Sequence, residues 1–289
     1  MLPPSVESMV QALADREVAI DRPQTSVATS FNYDVPIEKQ VRLVAEAGFS
    51  HISLGTRPEH SGYLEAQRRR ELKGRIADLG LAMDTIHARP LHHPKALEDS
   101  AATLSAAADL GASFVVAHVG PFNCGVDGLD ERLTLTLAVC NRLLPVVQET
   151  GVRLALENVM PGPATDLVRR ALFDLDPAAF GLCYDSSHDQ IDGPRPFDLI
   201  DEFRNRIYAV HLSDRIKAHV DHVIPGEGFI PWADMCLKLG TANYTGPILM
   251  EVLMAHSRFQ VPTDFLREAC SAALKTWEAV RGERMRRNN

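Results

Sequence analysis

Eight short β-rich runs, each followed by a segment of helical periodicity, constrain this chain more than any other feature. The runs are SVATSFN (26–32), FSHISLG (49–55), LAMDTIHA (81–88), ASFVVAHVG (112–120), VRLALENV (152–159), AFGLCYD (179–185), IYAVHLSD (207–214) and GPILMEVL (246–253). Amphipathic stretches such as PIEKQVRLVAEAG and LEDSAATLSAAADLG lie between them, and the glycine that closes each is a helix stop. Strand, helix and glycine-led return, eight times within 289 residues, fit one (β/α)8 TIM barrel spanning 1–289 better than an open sheet. The segment before the first strand, about residues 4 to 19, reads as an additional N-terminal helix, and the tail RGERMRRNN as a frayed, solvated end.

Composition narrows the partners. A formal net charge of -8 provides no general attraction to nucleic acid or anionic lipid, so no nucleic-acid partner is expected. No apolar run approaches the roughly 18–20 residues of a transmembrane helix, and no membrane association is expected. The opening MLPPSVESMV lacks the basic-then-apolar order of a secretory signal. The five cysteines are odd in number and show no C-x-x-C pair, which suits thiols in a reducing, cytoplasmic setting. Cys183, in GLCYD, reads as a packed thiol rather than a nucleophile beside His188.

In a barrel of this kind the C-terminal strand ends converge on one mouth. Those ends carry His87, His118, Glu157, Asn158, Asp185, His188, His211, Asp214 and Glu251. A single histidine after a strand is usually a satisfied hydrogen-bonding group. Glu157 and Glu251 are different, because LALEN and ILMEV set a carboxylate directly behind apolar strand residues, where desolvation is costly without a partner. Glu157, Asp185, His211 and Glu251 would bring three carboxylates and one imidazole to a single point. Such a set holds one divalent ion and leaves positions for substrate oxygens; its oxygen-rich character favours Mn2+ or Mg2+, with Zn2+ or Co2+ as alternatives.

The segments LALEN, CYDSSH, VHLSD and LMEV, with DHVIPGEG before the last, resemble the xylose isomerase-like TIM barrels, a superfamily of sugar and sugar-phosphate isomerases and epimerases, inosose-converting enzymes and abasic-site nucleases. For the single-metal epimerases the resemblance implies Glu157, Asp185, His211 and Glu251 as ligands, with Glu157 and Glu251 as the catalytic pair. It also implies His188 and Arg215 as substrate-binding residues, with Lys217 competing for the arginine's place, and His87, His118 and His222 as further contacts. Barrels of this family often pair, which makes a homo-oligomer the expectation by analogy. The nuclease branch would use His87, His118, His188 and His222 as additional zinc ligands. It expects a carboxylate where VDH places Val220.

Three chemistries follow from that resemblance. A small sugar or keto-polyol would lose a proton beside its carbonyl and regain it through an ene-diolate, giving an isomerase or epimerase. The same first step with loss of water gives a dehydratase or lyase, for example on an inosose. Several zinc ions would point instead to an abasic-site endonuclease. A non-catalytic sugar-binding or scaffold protein is the remaining class. Specificity is expected around Asn32, Tyr33, Arg57, His60, His87, Asn123 and Trp232, whose amides, imidazoles and rings suit a hydroxylated ligand.

Overall fold

The computed structural model describes residues 22–122, 124–189, 191 and 193–288. The helix expected over about residues 4 to 19 and the specificity candidate Asn123 lie outside the described residues. The described residues form eight parallel strands, seven within the run expected from sequence and the first beginning one residue before its run: β1 (Thr25–Ala28), β2 (His51–Leu54), β3 (Ala82–His87), β4 (Phe114–His118), β5 (Arg153–Glu157), β6 (Phe180–Asp185), β7 (Ile207–His211) and β8 (Ile248–Met250). Strand β1 is shorter than its run, because Thr29–Phe31 turn into a 3-10 helix.

Neighbouring strands pair in the order β7-β6-β5-β4-β3-β2-β1-β8. The circle closes where Leu212 N–H donates to Leu249 O at 2.9 Å and Glu251 N–H donates to Leu212 O at 3.1 Å. The sheet is therefore a barrel. Helices return the chain between strands: α1 (Ile37–Ala47), α2 (Pro58–Ser61), α3 (Ala66–Asp78), α4 (Ala96–Leu110), α5 (Leu129–Thr150), α6 (Pro163–Asp174), α7 (Asp198–Glu202), α8 (Trp232–Thr241) and α9 (Pro262–Asn288). Gly48 after α1 and Gly111 after α4 take φ of 96° and 88°, the left-handed conformation that ends a helix at little cost for glycine alone. No helix among the described residues is long and apolar enough to cross a membrane.

The tail departs from expectation. It continues α9 to Asn288, and it is docked: Arg284 Nη2 donates to Tyr244 O, and Arg287 Nη1 donates to Thr241 O. A basic tail reads as solvated when its carbonyl acceptors, which lie some forty residues earlier, are invisible in the sequence.

Two cores result from the alternation of side chains along each strand. Outward residues such as Val115, Leu154, Leu156 and Leu182 pack under the helices with Val44, Leu104 and Leu143. Inward, Val116, Ala155, Cys183, Tyr208 and Ala209 form a smaller cluster. Near the strand starts, the Arg153 guanidinium lies 4.6 Å from the Phe114 ring centroid and 4.4 Å from that of Tyr208. This plugged interior fixes the height at which the polar strand ends emerge.

Candidate metal centre

Register is what gathers the ligand candidates. His118 pairs with Glu157 across β4 and β5, and Asp185 pairs with His211 across β6 and β7. Partners on adjacent parallel strands present their side chains to the same face. Glu157, fully buried, is the hub: its Oε2 lies 3.0 Å from His87 Nε2 and 3.2 Å from His118 Nε2, and its Oε1 lies 3.3 Å from His211 Nδ1. Glu251 Oε2 approaches His211 Nδ1 to 2.9 Å, and the Glu251 side chain keeps 14% exposure at the mouth. The ligand atoms of Glu157, Asp185, His211 and Glu251 all lie within 4.8 Å of one another.

Proton bookkeeping tests whether these residues fit a cation. His87 Nδ1 is 2.9 Å from Ala88 O, and a carbonyl only accepts, so Nδ1 carries hydrogen. His87 Nε2 then faces a carboxylate, an arrangement that requires either a second proton or a cation nearby. Glu157 Oε1, Asp185 Oδ2 and both ring nitrogens of His211 are buried without a hydrogen-bond partner. About 90% or more of buried polar groups are paired in folded proteins, so several orphaned donor atoms converging on one point need a common partner. Three carboxylates and an imidazole therefore fit a divalent metal ion.

The electrostatics separate the carboxylates. Burial alone would raise Glu157, but the positive charges of His211 and then His118 hold it well below the ordinary carboxylate range. Glu251 is likewise held at about 2, burial being outweighed mainly by His211. Burial pushes Asp185 up to about 7, with His222 opposing and the charges of Glu157 and Glu251 adding to the rise. Burial lowers His188 to about 4, so its ring is neutral. His188 Nδ1 donates to Asn158 O at 3.0 Å, which leaves a lone pair on its buried, unpartnered Nε2. Burial pushes the Cys183 thiol up to about 12, which disfavours it as a nucleophile.

The polar residues that follow β6 are held by their own hydrogen bonds. Asp185 Oδ1 accepts from Ser187 N–H, Ser187 Oγ and His188 N–H, while its Oδ2 stays available at the centre. Ser186 Oγ donates to Ser213 O and accepts from Ser213 N–H, locking the β6 turn to the β7 turn. Ser213 Oγ in turn lies 3.0 Å from His222 Nδ1. The two serines aim the aspartate and brace the histidines.

Several candidate residues also make local contacts. Asp214 does not point into the mouth: its carboxylate accepts from the N–H groups of Arg215, Gly226 and Ile230 and from Trp232 Nε1, so it organises the β7–α8 loop. That bond also turns the indole nitrogen of Trp232 toward the loop. The Arg215 guanidinium is buried and donates to Ser187 O and Asp189 O, bracing the turn that carries His188. Lys217 is exposed. Tyr33 stacks under Arg57, whose guanidinium lies 4.5 Å from the ring, with His60 edge-on at 5.1 Å. Sequence reasoning missed Phe122, whose ring packs edge-on against His118 and His188. Its place in the β4 loop, near the predicted His118, was the available signal.

Beside the four-residue set, His87, His118 and Glu157 form one further group of converging donors, and Asp185, His188 and His222 another. Val220 is exposed, and Asp221 Oδ2 accepts from the N–H groups of Ile216, Lys217 and Ala218. Asp221 is thus committed to its own loop rather than to the His222 group.

The chain, a (β/α)8 barrel with this constellation at the C-terminal ends of its strands, matches the xylose isomerase-like TIM barrel family over residues 41–270. It belongs to that family. An uncharacterised protein of Sinorhizobium fredii is 26% identical over 294 residues, covering 89% of this chain and 94% of the relative. An inosose dehydratase of Bacillus anthracis is 27% identical over 125 residues, 37% of this chain and 42% of that one. Among solved structures, a D-tagatose 3-epimerase-like protein superposes with a TM-score of 0.70 at 18% identity, covering 91% of this chain and 99% of the other. A 3-keto-D-glucoside 4-epimerase from E. coli gives 0.69 at 17% identity, covering 88% and 100%. At such identities the structural likeness concerns the fold.

Proposed function

We propose that this protein is a divalent-metal-dependent isomerase or epimerase of a small sugar or keto-polyol, with Glu157 and Glu251 as its proton-transfer pair. The observation that carries the reading is the pair of carboxylates meeting His211 Nδ1, at 3.3 Å from the buried Glu157 and 2.9 Å from the partly exposed Glu251. Glu157, Asp185, His211 and Glu251 would hold the ion, Mn2+ or Mg2+ by preference and Zn2+ or Co2+ as alternatives. When bound, it polarises a substrate carbonyl and acidifies the adjacent C–H.

The protein's own groups supply the rest. Glu157 and Glu251 are both held in the ionised form near neutral pH, as a base must be before it takes a proton. They stand on different strands, so one removes the proton and the other returns it to the opposite face, which epimerises the carbon. Return at the neighbouring carbon isomerises instead. His188 Nε2, neutral and unpartnered, accepts a hydrogen bond from a substrate hydroxyl, while His118, His87 and His222 line the same mouth. Arg215 holds the β6 turn so that His188 keeps this position, and its charge favours oxygens that become negative.

The direct test is solvent exchange. In D2O with Mn2+, a panel of ketoses and inososes is followed by NMR for deuterium entering beside the carbonyl. The proposal expects exchange into at least one member, abolished in Glu157→Gln; absence of exchange throughout the panel counts against it. Loss of water after the same exchange would identify a dehydratase, the outcome favoured by the local likeness to inosose dehydratase. A hydrolytic, multi-zinc reading draws on the His87–His118–Glu157 and Asp185–His188–His222 groups. It would require two or three zinc ions per chain together with cleavage of abasic DNA.

A further inference from the structure

Cys183 places a soft donor beside the proposed centre. It pairs in register with Glu157 across β5 and β6, stands two residues before Asp185, and is fully buried. Its surroundings are apolar: Val116, Ala155, Tyr208 and Ala209 share its cluster. The ligand atoms of Glu157, Cys183 and His211 lie within 4.8 Å of one another. Two of these partners carry unsatisfied atoms, since Glu157 Oε1 and both ring nitrogens of His211 are buried without a hydrogen bond. Sulfur, carboxylate and imidazole thus meet just inside the oxygen-rich ligand set.

We infer that Glu157, Cys183 and His211 form a second coordination position, taken by thiophilic divalent ions such as Cd2+, Zn2+ and Co2+ in preference to Mn2+ or Mg2+. The inference rests on the proposed centre, because Glu157 and His211 serve both positions. Asp185 and Glu251 would hold hard ions, whereas Cys183 would draw soft ones, since thiolate sulfur selects softer cations while carboxylate oxygen suits harder ones. On coordination the S–H bond breaks, a sulfur–metal bond forms, and the proton is released to solvent. An ion held through Cys183 would share Glu157 and His211 with the four-residue set and would engage Asp185 and Glu251 less fully. Thiophilic ions would then compete with Mn2+ through shared ligands.

Optical titration of the full chain with Co2+, compared with Cys183→Ser, tests this without reference to turnover. The expected result is a near-ultraviolet thiolate-to-cobalt charge-transfer band in the parent protein that is missing in Cys183→Ser. Cd2+ affinity should fall by at least about tenfold in the variant, while Mn2+ affinity changes by less than about twofold. Cys183→Ala serves the same comparison if the serine hydroxyl disturbs the apolar cluster. Co2+ binding with no thiolate band, or Cd2+ affinity unchanged in both variants, overturns the inference and leaves the four-ligand centre standing. Failure of the parent protein to bind Mn2+, Co2+ or Cd2+ overturns both together.

Discussion

Glu157 and His211, on strands separated by β6, bring Oε1 and Nδ1 to 3.3 Å inside the barrel, and neither atom has an aligned hydrogen-bond partner. Close approach without hydrogen bonding is what a pair of ligands to a common cation shows. The same Nδ1 meets Glu251, so one imidazole ties together the two carboxylates proposed to move protons.

Glu157→Gln and Glu251→Gln keep the size of each side chain while removing its charge and basicity. Each is expected to lower kcat by roughly 10²–10⁴-fold on the substrate that exchanges. Bound Mn2+ measured on the same samples separates lost chemistry from lost metal.

Asp214 holds its loop through four accepted hydrogen bonds, and Gly228 approaches it so closely that a Cβ there would lie 2.3 Å from Asp214 Oδ1. Asp214→Ala strands those buried donors and is expected to lower stability by about 2–4 kcal/mol in urea unfolding. Because His222 rides on the same loop, KM should rise more than kcat falls.

Much of this was legible in the sequence. Seven of the eight strands lie within their expected runs and β1 overlaps its own, because alternation and glycine stops are local signals, and Glu157, Asp185, His211 and Glu251 converge, because strand ends of a barrel share one mouth. What escaped was set by contacts between distant loops. Nothing local in LSDR says that Asp214 turns into its own loop while Arg215 reaches back to the β6 turn. Cys183 packs as its place in GLCYD implies, but its nearness to Glu157 depends on the pairing of β5 with β6. The barrel also buries Asp84, and nothing local in LAMDTIHA signals that burial.

That aspartate gives a pH signature. Burial raises Asp84 to about 7, with the nearby Ser26 hydroxyl and the His211 charge opposing. An acid whose folded pKa exceeds its unfolded value, roughly 3.9, stabilises the fold fully below that lower value and loses the contribution as pH rises through about 7. Between pH 5 and 8 the parent should therefore lose roughly 1–3 kcal/mol more stability than Asp84→Asn, both measured with Mn2+ present. Equal pH profiles would show that Asp84 ionises normally in the fold.

Gly181 has no room for a side chain: a Cβ would lie 2.5 Å from the Tyr208 ring. Gly181→Ala is expected to cost about 1–3 kcal/mol by displacing that ring from its place beside Arg153, read as a lower denaturant midpoint with an unchanged m-value.

The most direct measurement of the central claim is Mn2+ binding by equilibrium dialysis, with the bound metal counted per chain by elemental mass spectrometry. The parent protein is predicted to hold about one ion per chain at saturation, and Asp185→Asn and Glu251→Gln to bind it at least about tenfold more weakly. Absence of bound Mn2+ in the parent, or undiminished affinity in both variants, would contradict a metal centre built from Glu157, Asp185, His211 and Glu251.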